Sequence, residues 1–372
     1  MTDGPDAIRI LFAGGGTAGH LMPALNIAGE MIGIDKRVKP LFVGKRGGIE
    51  REIVARFGYE IEEIEVIGMR RTPMGMVRFL LNWRKSLDQA MEIVKRFQPG
   101  AIVGTGGYVS APVIRAGHKA GKIVFLQEQN SLPGLAARSM AKYADTIFIA
   151  YDSARKYLKA SRCKLTGNPI RSDIAGREKD SSIKKFGLDP ARKTLLVLGG
   201  SSGAAGINQK VAELVRGGFF PGNWQLLWQT GKRDYESLRR HTMSEKRMGI
   251  LLPFIDDMPA AYASADLVLS RAGAMALSEI AAAGLPSLLV PFPHATGDHQ
   301  RQNAASLEKM GGAVVVDESE INIKLESVLN DLFNDESRRN KMSVAAFESG
   351  KPDAARVIAQ DILDRINEIQ KN

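Results

Sequence analysis

Residues 267–302 read LVLSRAGAMALSEIAAAGLPSLLVPFPHATGDHQRQ, and this stretch predicts the fold of the second half of the chain. It opens with an apolar run that is typical of a buried parallel strand. A glycine-containing turn then leads into an alanine-rich helix, which Gly284 and Pro286 should end. A second apolar run at residues 287–292 predicts the next strand. Such a strand–loop–helix–strand unit places a ligand at the loop and the helix N-terminus.

Polar side chains follow at positions suited to a sugar nucleotide. Glu279 lies one to two turns inside the predicted helix, where its carboxylate could accept hydrogen bonds from a ribose diol. Gln300 and Asn303 come shortly afterwards, and side-chain amides suit sugar hydroxyls. The alternative interpretation of Glu279 is a solvated surface residue. The stretch therefore leaves a nucleotide site and an exposed carboxylate both open.

Length and composition limit the class of protein. The 372 residues exceed one typical core and predict two domains. A hydrophobic fraction of 44% and a charged fraction of 25% are typical of globular proteins. The first six residues lack the regions of a signal peptide, and no run reaches ~18 apolar residues, so neither a leader nor a transmembrane helix is predicted. The single cysteine, Cys163, excludes an intramolecular disulfide and fits a reducing cytoplasm.

The net charge of +10 is unevenly distributed along the chain. Residues 1–170 carry 25 Lys and Arg against 15 Asp and Glu, whereas residues 171–372 carry 26 of each. This asymmetry predicts that one domain meets an anionic surface, and a merely solubilising charge is the alternative. A membrane leaflet, a phosphorylated substrate and nucleic acid are candidates. Nucleic acid is disfavoured because neither a basic sheet with interleaved aromatics nor a helix-turn-helix pattern is present.

A first glycine loop, GGGTAGH at residues 14–20, follows a predicted strand at residues 8–13 and precedes a helix predicted from residue 23. The Gly-x-Gly-x-x-Gly spacing lets backbone N–H groups approach a phosphate. An NAD-binding domain would also need an acidic residue after the second strand. That strand ends instead in Gly44, Lys45 and Arg46, so NAD is disfavoured, while an NADP-dependent oxidoreductase stays open.

His20 closes this loop at the N-terminal end of the predicted helix. A helix N-terminus disfavours the imidazolium form, so a neutral ring there could accept a proton. The functional hypothesis is a general base. The alternative is a histidine whose hydrogen bonds hold the glycine loop in shape.

Residues 69–85, MRRTPMGMVRFLLNWRK, combine a broad apolar surface with a ring of cations. This composition is typical of a segment that inserts aromatic and aliphatic side chains among anionic lipids. A core helix with extended cations on its rim is the alternative. The apolar members are Met74, Met76, Val77, Phe79, Leu80, Leu81 and Trp83, and the cations are Arg70, Arg71, Arg78, Arg84 and Lys85.

Two further glycine loops follow predicted strands, at residues 104–112 and 199–208. The strand at residues 123–126 ends in the polar run 127–130, at the strand end where parallel sheets place ligands. Asp256 and Asp257 form an acidic pair, but adjacent residues in extended chain point apart, so a helix cap is the favoured interpretation.

Several site types lack their sequence signatures. The chain has no Asp-x-Asp pair for a metal on a nucleotide sugar, no Walker A loop, no Cys/His metal set and no Gly-x-Ser-x-Gly elbow. Phosphate binding by backbone and helix dipole, without a metal, fits a glycosyltransferase built from two Rossmann-like domains.

The chain resembles the MurG family, which is part of glycosyltransferase family 28, over nearly its whole length. The resemblance rests on eight segments in order, and the order makes it specific. They are GGGTAGH (14–20), GTGGYVSAP (104–112), EQN (128–130), GNPIR (167–171), GGSSGAAGIN (199–208), FIDDM (254–258), RAGAMALSEIAAAGLPSLLVPFP (271–293) and DHQRQNA (298–304).

The resemblance implies an α/β protein of the GT-B class, with two Rossmann-like domains facing a cleft. Residues 1–170 would bind acceptor and membrane, residues 171–353 would bind UDP-GlcNAc, and a last helix within residues 354–372 would pack back on the first domain. The reaction implied is an inverting transfer of GlcNAc to the 4-hydroxyl of MurNAc in undecaprenyl-pyrophosphoryl-MurNAc-pentapeptide, a step of peptidoglycan synthesis. No cofactor or metal is implied. The enzyme would sit peripherally on the cytoplasmic face of the plasma membrane, on anionic lipid, with cell-wall synthesis proteins as further partners.

The family also implies roles for residues at matching positions. His20 is the candidate base, and Asn130 would face the transferred sugar. The donor contacts implied are Thr17, Ala18, Gly19, Arg171, Ser201, Ile255, Ala274, Met275, Ala276, Leu277, Ser278, Glu279 and Gln300. Ala18, Ser202 and Ala276 depart from the usual family residues, and the loop 294–298 is longer. The rival reading is another UDP-sugar-dependent GT-B transferase with a small-molecule acceptor, which would not need the surface at residues 69–85.

Overall fold

The computed structural model describes residues 7–68, 72–199, 203–242 and 249–371. The chain divides into two compact units. Unit 1 comprises Met1–Ile170 together with Asp353–Asn372, and unit 2 comprises Arg171–Pro352. Each unit is built on one parallel sheet with helices around it, so the predicted α/β class is confirmed.

The sheet of unit 1 has seven strands in the order β3-β2-β1-β4-β5-β6-β7. The order changes direction between β1 and β4, so the loops that follow these two neighbouring strands leave the sheet side by side. The strands are β1 Ile8–Gly14, β2 Val38–Lys45, β3 Glu60–Ile64, β4 Ala101–Gly106, β5 Ile123–Glu128, β6 Thr146–Ile149 and β7 Cys163–Leu165.

The helices of unit 1 begin with α1, which starts at Ala18 rather than near residue 23. Pro23 suggested a first helical position, but it lies inside the helix at the cost of one backbone hydrogen bond. In α3, by contrast, Pro73 does occupy the first turn, and the Thr72 hydroxyl accepts from the N–H of Gly75 at 3.1 Å. The helices are α1 Ala18–Ile34, α2 Glu50–Arg56, α3 Pro73–Phe97, α4 Gly107–Lys119 and α5 Leu135–Met140.

The sheet of unit 2 has six strands in the order β10-β9-β8-β11-β12-β13, and its order changes direction between β8 and β11. β12 is shorter than its apolar run suggested, because its neighbour β13 offers only three residues for pairing. The strands are β8 Lys193–Leu198, β9 Trp224–Gln229, β10 Gly249–Leu252, β11 Leu267–Ser270, β12 Ser287–Leu289 and β13 Ala313–Val315.

Unit 2 carries eight described helices. They are α6 Lys179–Phe186, α7 Ala205–Arg216, α8 Lys232–Thr242, α9 Met258–Ala263, α10 Ala274–Ala282, α11 His299–Lys309, α12 Ile321–Asn334 and α13 Glu336–Ser349. Within the described ranges of the chain, no helix is long and apolar enough to cross a membrane.

The last helix, α14 Ala354–Lys371, belongs to unit 1, where it packs against α1. Ile358, Ile362 and Ile366 lie one turn apart on one face and are buried in the same cluster as Phe12 and Leu25. The C-terminal segment therefore completes the core on one side of the first sheet.

Candidate functional site

In unit 1 the first candidate site lies where the loops after β1 and β4 meet. Helix α1 begins there, and Thr17 is its N-cap, with no hydrogen bond from its own side chain to the helix. Thr17 and Gly19 are exposed, and Ala18 is half-buried. The first-turn N–H groups of Ala18 and Gly19 have no acceptor within the helix, because the first turn of any α-helix leaves them unpaired. This end of α1 can therefore receive an anion.

His20 sits in the first turn of α1, and three contacts fix it. Its Nδ1 lies 3.0 Å from Oε1 of Gln129. Its backbone carbonyl accepts from the Thr105 hydroxyl at 2.6 Å. A β-carbon built on Gly106 would lie 2.6 Å from His20 Nδ1, so glycine is needed there, and φ is +107°. The sequence did not single out Gln129, which contacts the ring, or Thr105, which bonds the backbone of His20. The available signal was their position, near the end of β4 for Thr105 and just after β5 for Gln129.

The first glycine loop packs on a buried carboxylate from α2, Glu50, which was not predicted from the sequence. Glu50 is 1% exposed, and its Oε1 accepts from the N–H of Gly16 at 2.6 Å. Gly15 and Gly48 pack directly on this carboxylate, and Gly44 packs on its methylene groups. The N–H of Gly16 therefore serves the fold, and the start of α1 remains as the anion-facing part of the loop.

Asn130 lies at the end of β5, next to Gln129, and is held by a second buried carboxylate. Oε1 of Glu128 accepts from the backbone N–H of Asn130 at 2.9 Å and from its side-chain amide at 3.1 Å. Burial raises the pKa of Glu128, while the bonds from Asn130 and Gly134 and the nearby His20 act in the opposite direction. Asn130 and His20 are thus brought to the same edge of the sheet.

In unit 2 the corresponding position lies between the ends of β8 and β11. After β11, Gly273 caps α10, the helix that carries most of the predicted donor contacts. Ser201, predicted to contact the diphosphate, lies outside the described residues, as does Ser202. Helix α7 begins at Ala205, inside the glycine loop predicted at residues 199–208, and presents its first-turn N–H groups on the same edge of the sheet.

Glu279 is half-buried on α10 and is not a freely solvated residue. Its Oε2 accepts from the Tyr262 hydroxyl at 3.0 Å. Burial raises the pKa of Glu279 to about 7, opposed by the Tyr262 hydroxyl and the Arg171 guanidinium and reinforced by Asp173. The Arg171 guanidinium donates two hydrogen bonds of 3.0 Å to the Asp173 carboxylate. Glu279 and Arg171, far apart in sequence, therefore belong to one charged cluster, in which Tyr262 and Asp173 were not predicted.

The side chains of the α10 segment divide between core and surface. Leu277 is 2% exposed and packs in the core, so only its backbone could meet a ligand. The Ser278 hydroxyl donates to the carbonyl of Ala274 at 3.0 Å. Met275 and Ala276 are half-buried and remain accessible beside Ser278.

Two more predicted contacts are already engaged within unit 2. The N–H of Ile255 donates to Oε1 of Gln229 at 2.8 Å, which leaves the Ile255 carbonyl oxygen as the group for a base. Oε1 of Gln300 accepts from the N–H of Phe292 at 2.9 Å, so its amide nitrogen is the end that can reach a sugar. Each residue thus offers one polar group of defined type.

The acidic pair behaves as the sequence indicated. The Asp257 carboxylate accepts from the N–H of Ala260 at 3.1 Å and caps α9. Its other oxygen pairs with Lys185, and this ion pair lowers the pKa of Asp257. Among the described residues, no group of three or more His, Cys, Asp or Glu side chains is arranged to hold a metal ion.

Helix α3 exposes much of the apolar surface predicted for residues 69–85, of which Met69, Arg70 and Arg71 lie outside the described residues. The exposed apolar side chains are Met74 at 73%, Leu81 at 70%, Leu80 at 59%, Val77 at 53% and Met76 at 44%.

The rest of the predicted α3 surface is less available. Phe79 and Trp83 stack with ring centroids 6.3 Å apart, and Trp83 packs partly on the core. Lys85 is paired with Glu65 at 2.7 Å. Arg78 and Arg84 are exposed and have no ion-pair partner within the described part of the chain. The surface therefore consists mainly of aliphatic and methionine side chains with these two arginines.

Comparison with known proteins agrees with this arrangement. The family model for the glycosyltransferase family 28 N-terminal domain matches residues 10–149, and that for its C-terminal domain matches residues 194–358. The Chlorobaculum tepidum and Bacillus pumilus proteins named UDP-N-acetylglucosamine–N-acetylmuramyl-(pentapeptide) pyrophosphoryl-undecaprenol N-acetylglucosamine transferase are 39% and 36% identical to this chain. The first alignment covers 96% of this chain and 99% of the relative, and the second covers 94% and 96%.

Solved structures share the fold. The crystal structure of Acinetobacter baumannii MurG superposes with a TM-score of 0.76, at 24% identity, over 96% of this chain and 99% of that one. CalG4, the calicheamicin glycosyltransferase, has a TM-score of 0.67 at 14% identity, over 96% and 99% of the two chains. The predicted GT-B class is confirmed. From the two family-28 domains and the near full-length identity, this chain belongs to glycosyltransferase family 28 and, within it, to the MurG family.

Proposed function

We propose that this chain transfers N-acetylglucosamine from UDP-GlcNAc to the 4-hydroxyl of MurNAc in undecaprenyl-pyrophosphoryl-MurNAc-pentapeptide, with inversion at the anomeric carbon. The observation that carries the proposal is the 39% identity, over 96% of the chain, to a relative named for the transfer of N-acetylglucosamine to this class of lipid-linked acceptor. The step belongs to peptidoglycan synthesis, and the enzyme is a hexosyltransferase.

The donor is bound by unit 2 in this proposal. Ionised Glu279 accepts hydrogen bonds from the two ribose hydroxyls, for which its half-buried position on α10 is suited. The Ile255 carbonyl accepts from the uracil N3–H, since its own N–H is already engaged. The amide of Gln300 donates to a GlcNAc hydroxyl. Arg171 and the N-termini of α7 and α10 stabilise the negative charge that grows on the departing UDP.

The chemistry requires one proton acceptor. The oxygen of the MurNAc 4-hydroxyl attacks the anomeric carbon of GlcNAc, the bond from that carbon to the UDP oxygen breaks, and UDP leaves with the electron pair. The proton of the attacking hydroxyl goes to Nε2 of His20, whose Nδ1 is engaged with Gln129. Asn130, held by Glu128, orients the transferred sugar. Thr17, Ala18 and Gly19 receive diphosphate oxygens at the start of α1.

The lipid acceptor requires access to a membrane surface, and the exposed face of α3 supplies it in this proposal. Five exposed apolar side chains beside the exposed Arg78 and Arg84 match the chemistry of an anionic leaflet. Unit 1 carries 28 Lys and Arg against 19 Asp and Glu, whereas unit 2 carries 23 against 22. We infer a peripheral enzyme on the cytoplasmic leaflet, with unit 1 towards the lipid. Cell-wall synthesis proteins are further proposed partners.

The test is release of UDP from UDP-GlcNAc by the purified chain, with and without a polyprenyl-pyrophosphoryl-MurNAc-pentapeptide, in the presence and absence of EDTA. Acceptor-dependent release with a β-1,4-linked product is expected. A folded protein that binds UDP-GlcNAc but does not turn over with this acceptor, even with added Mg²⁺, would instead point to a different, small-molecule acceptor. Failure to bind the donor at all would overturn the proposal.

A further inference from the structure

We propose that Gln129 is a positioning residue that fixes the tautomer of His20, with the proton on Nδ1 and the lone pair on Nε2. The inference deepens the proposed function, because a base in the transfer step needs a free lone pair at the end of the ring that faces the substrate. The sequence motifs gave Gln129 no role of its own. The basis of the inference is the orientation of one buried carboxamide.

The surroundings of Gln129 determine which end of the carboxamide is nitrogen. Gln129 is 3% exposed. Its Nε2 donates to the backbone carbonyl of Thr105 at 2.7 Å and lies 3.2 Å from the carbonyl of Gln127. The side-chain oxygen of Gln127 also accepts from it. All three partners are acceptors, so the reversed orientation would press oxygen against oxygen.

The position of Gln127 is itself fixed. Its own Nε2 donates to Oδ1 of Asn168 at 3.1 Å, which leaves Oε1 to accept from Gln129. Asn168 in turn donates from Nδ2 to the backbone carbonyl of Gln129 at 3.1 Å. Both carboxamides and Asn168 are buried. The chain of bonds is closed, so Gln129 cannot rotate without breaking several contacts.

The side-chain oxygen of Gln129 determines which nitrogen of the His20 ring carries the hydrogen. Oε1 of Gln129 is the group that faces the imidazole, at 3.0 Å from Nδ1, and an amide oxygen only accepts. Nδ1 must therefore carry the hydrogen in the neutral ring, and Nε2 is the basic nitrogen. A free histidine side chain has no such constraint.

The experiment is the tautomer of His20 in the full-length protein, read from two-bond ¹H–¹⁵N correlations at a pH where the imidazole is neutral. The signal is assigned by its loss in His20→Gln, and His118, which packs against Tyr143 away from this site, serves as an internal reference. We expect Nδ1 to give the shift of a protonated nitrogen and Nε2 that of an unprotonated one.

The informative variant is Gln129→Met, which keeps the length of the side chain and removes the acceptor. The ring should lose its preference for a proton on Nδ1, and kcat should fall roughly 10- to 100-fold with KM for UDP-GlcNAc unchanged, by analogy with the partners that orient metal-ligating histidines. The matched control is Thr105→Val, which removes the hydroxyl bond to the His20 backbone but keeps the carbonyl that orients Gln129. It should leave the tautomer as in the wild type.

A wild-type His20 with its proton on Nε2 would overturn the inference, and this reading needs no variant to fold. A folded Gln129→Met protein whose tautomer is unchanged would overturn it too. Retention of kcat in His20→Ala is a separate result, because it would remove the base from the proposed reaction while the wild-type tautomer could still be as inferred.

Discussion

One carboxylate, Glu279, links donor binding to pH. Burial raises its pKa to about 7 in the free protein, and a carboxylate that accepts from two ribose hydroxyls must be ionised. The pKa of Glu279 is therefore lower in the protein with bound donor than in the free protein. Binding below about pH 7 then releases the proton of the Glu279 carboxyl group. Affinity for UDP-GlcNAc, whose diphosphate has no proton to lose near neutral pH, should rise with pH through about 7 and level off above it. Calorimetric titrations in buffers of different ionisation enthalpy measure both the affinity and the proton release.

The matched variant is Glu279→Gln, which keeps the shape and cannot ionise. Its affinity for UDP-GlcNAc should be lower by about 1.5–3 kcal/mol per charged hydrogen bond lost, and it should not vary with pH over this range. Tyr262, which donates to the wild-type carboxylate, can also donate to the amide oxygen, so the variant should fold. A pH-dependent affinity that persists in Glu279→Gln would assign the effect to another group.

Replacement of His20 tests its proposed role as the general base. His20→Ala should lower kcat by about 10²–10⁴, the usual contribution of a general base, and should leave KM for UDP-GlcNAc near the wild-type value. Initial rates of UDP release with the lipid-linked acceptor measure both constants. If kcat stays within a factor of two or so of the wild type, His20 only holds the loop and the base lies elsewhere.

At single residues, the sequence was informative where a chemical type stands at a recognisable position in a motif. Glu279, Asp257 and His20 were singled out in that way; Asp257 proved to be the helix cap, and the roles of Glu279 and His20 stay predictions. Tyr262, Gln129 and Glu50 were not found, because each acts through a contact between segments that are distant in sequence. The buried position of Leu277 was likewise invisible in the motif, since all of α10 reads as apolar.

Among the helices and strands, α3 carries the surface that is proposed to bind the membrane, and this can be tested. Leu80→Ser with Leu81→Ser should weaken binding to phosphatidylglycerol vesicles at least about tenfold, because each leucine side chain transferred from water is worth roughly 1.5–3 kcal/mol. Co-sedimentation with vesicles measures the loss. Ile323→Ser is the control, since Ile323 on α12 is 79% exposed and lies in unit 2.

The two exposed arginines of α3, Arg78 and Arg84, should act by charge rather than by insertion. Arg78→Gln with Arg84→Gln should weaken binding to anionic vesicles by about 1 kcal/mol per arginine and leave binding to neutral vesicles unchanged. The effect should shrink as salt shortens the screening length. Equal binding of wild type and both α3 variants to anionic vesicles would move the membrane contact to another surface.

The order and type of the elements were predictable from apolar runs separated by glycine loops, because both faces of a parallel sheet are buried and its strands read as continuous apolar stretches. Helix starts were predicted less well. Both α1 and α7 begin within their glycine loops, at Ala18 and Ala205, where small residues give no periodic signal. Since the starts of these helices are the proposed anion sites, the error mattered for function.

For the whole molecule, α14 makes the stability of unit 1 depend on the end of the chain. Ile362 is fully buried against α1 and β1, so Ile362→Ala should cost about 2–5 kcal/mol in the unfolding of unit 1. Val357→Ala, on the exposed side of the same helix, should change it by less than about 0.5 kcal/mol. The single cysteine, Cys163, is buried in unit 1, so the reaction of its thiol during denaturant unfolding reports unit 1, and UDP affinity reports unit 2. Equal effects of the two variants would contradict the packing role of α14.

The carboxylate of Glu50 has a consequence for how this chain can vary. Gly15 and Gly48, from two different loops, leave room for that carboxylate, and the N–H of Gly16 depends on it. A methyl group at Gly15 would occupy the place of the carboxylate, so Gly15→Ala should be recovered in a selection for active variants only with a shorter residue at position 50. A library that randomises position 15 alone would find glycine immutable there, although the restriction belongs to the pair of residues 15 and 50.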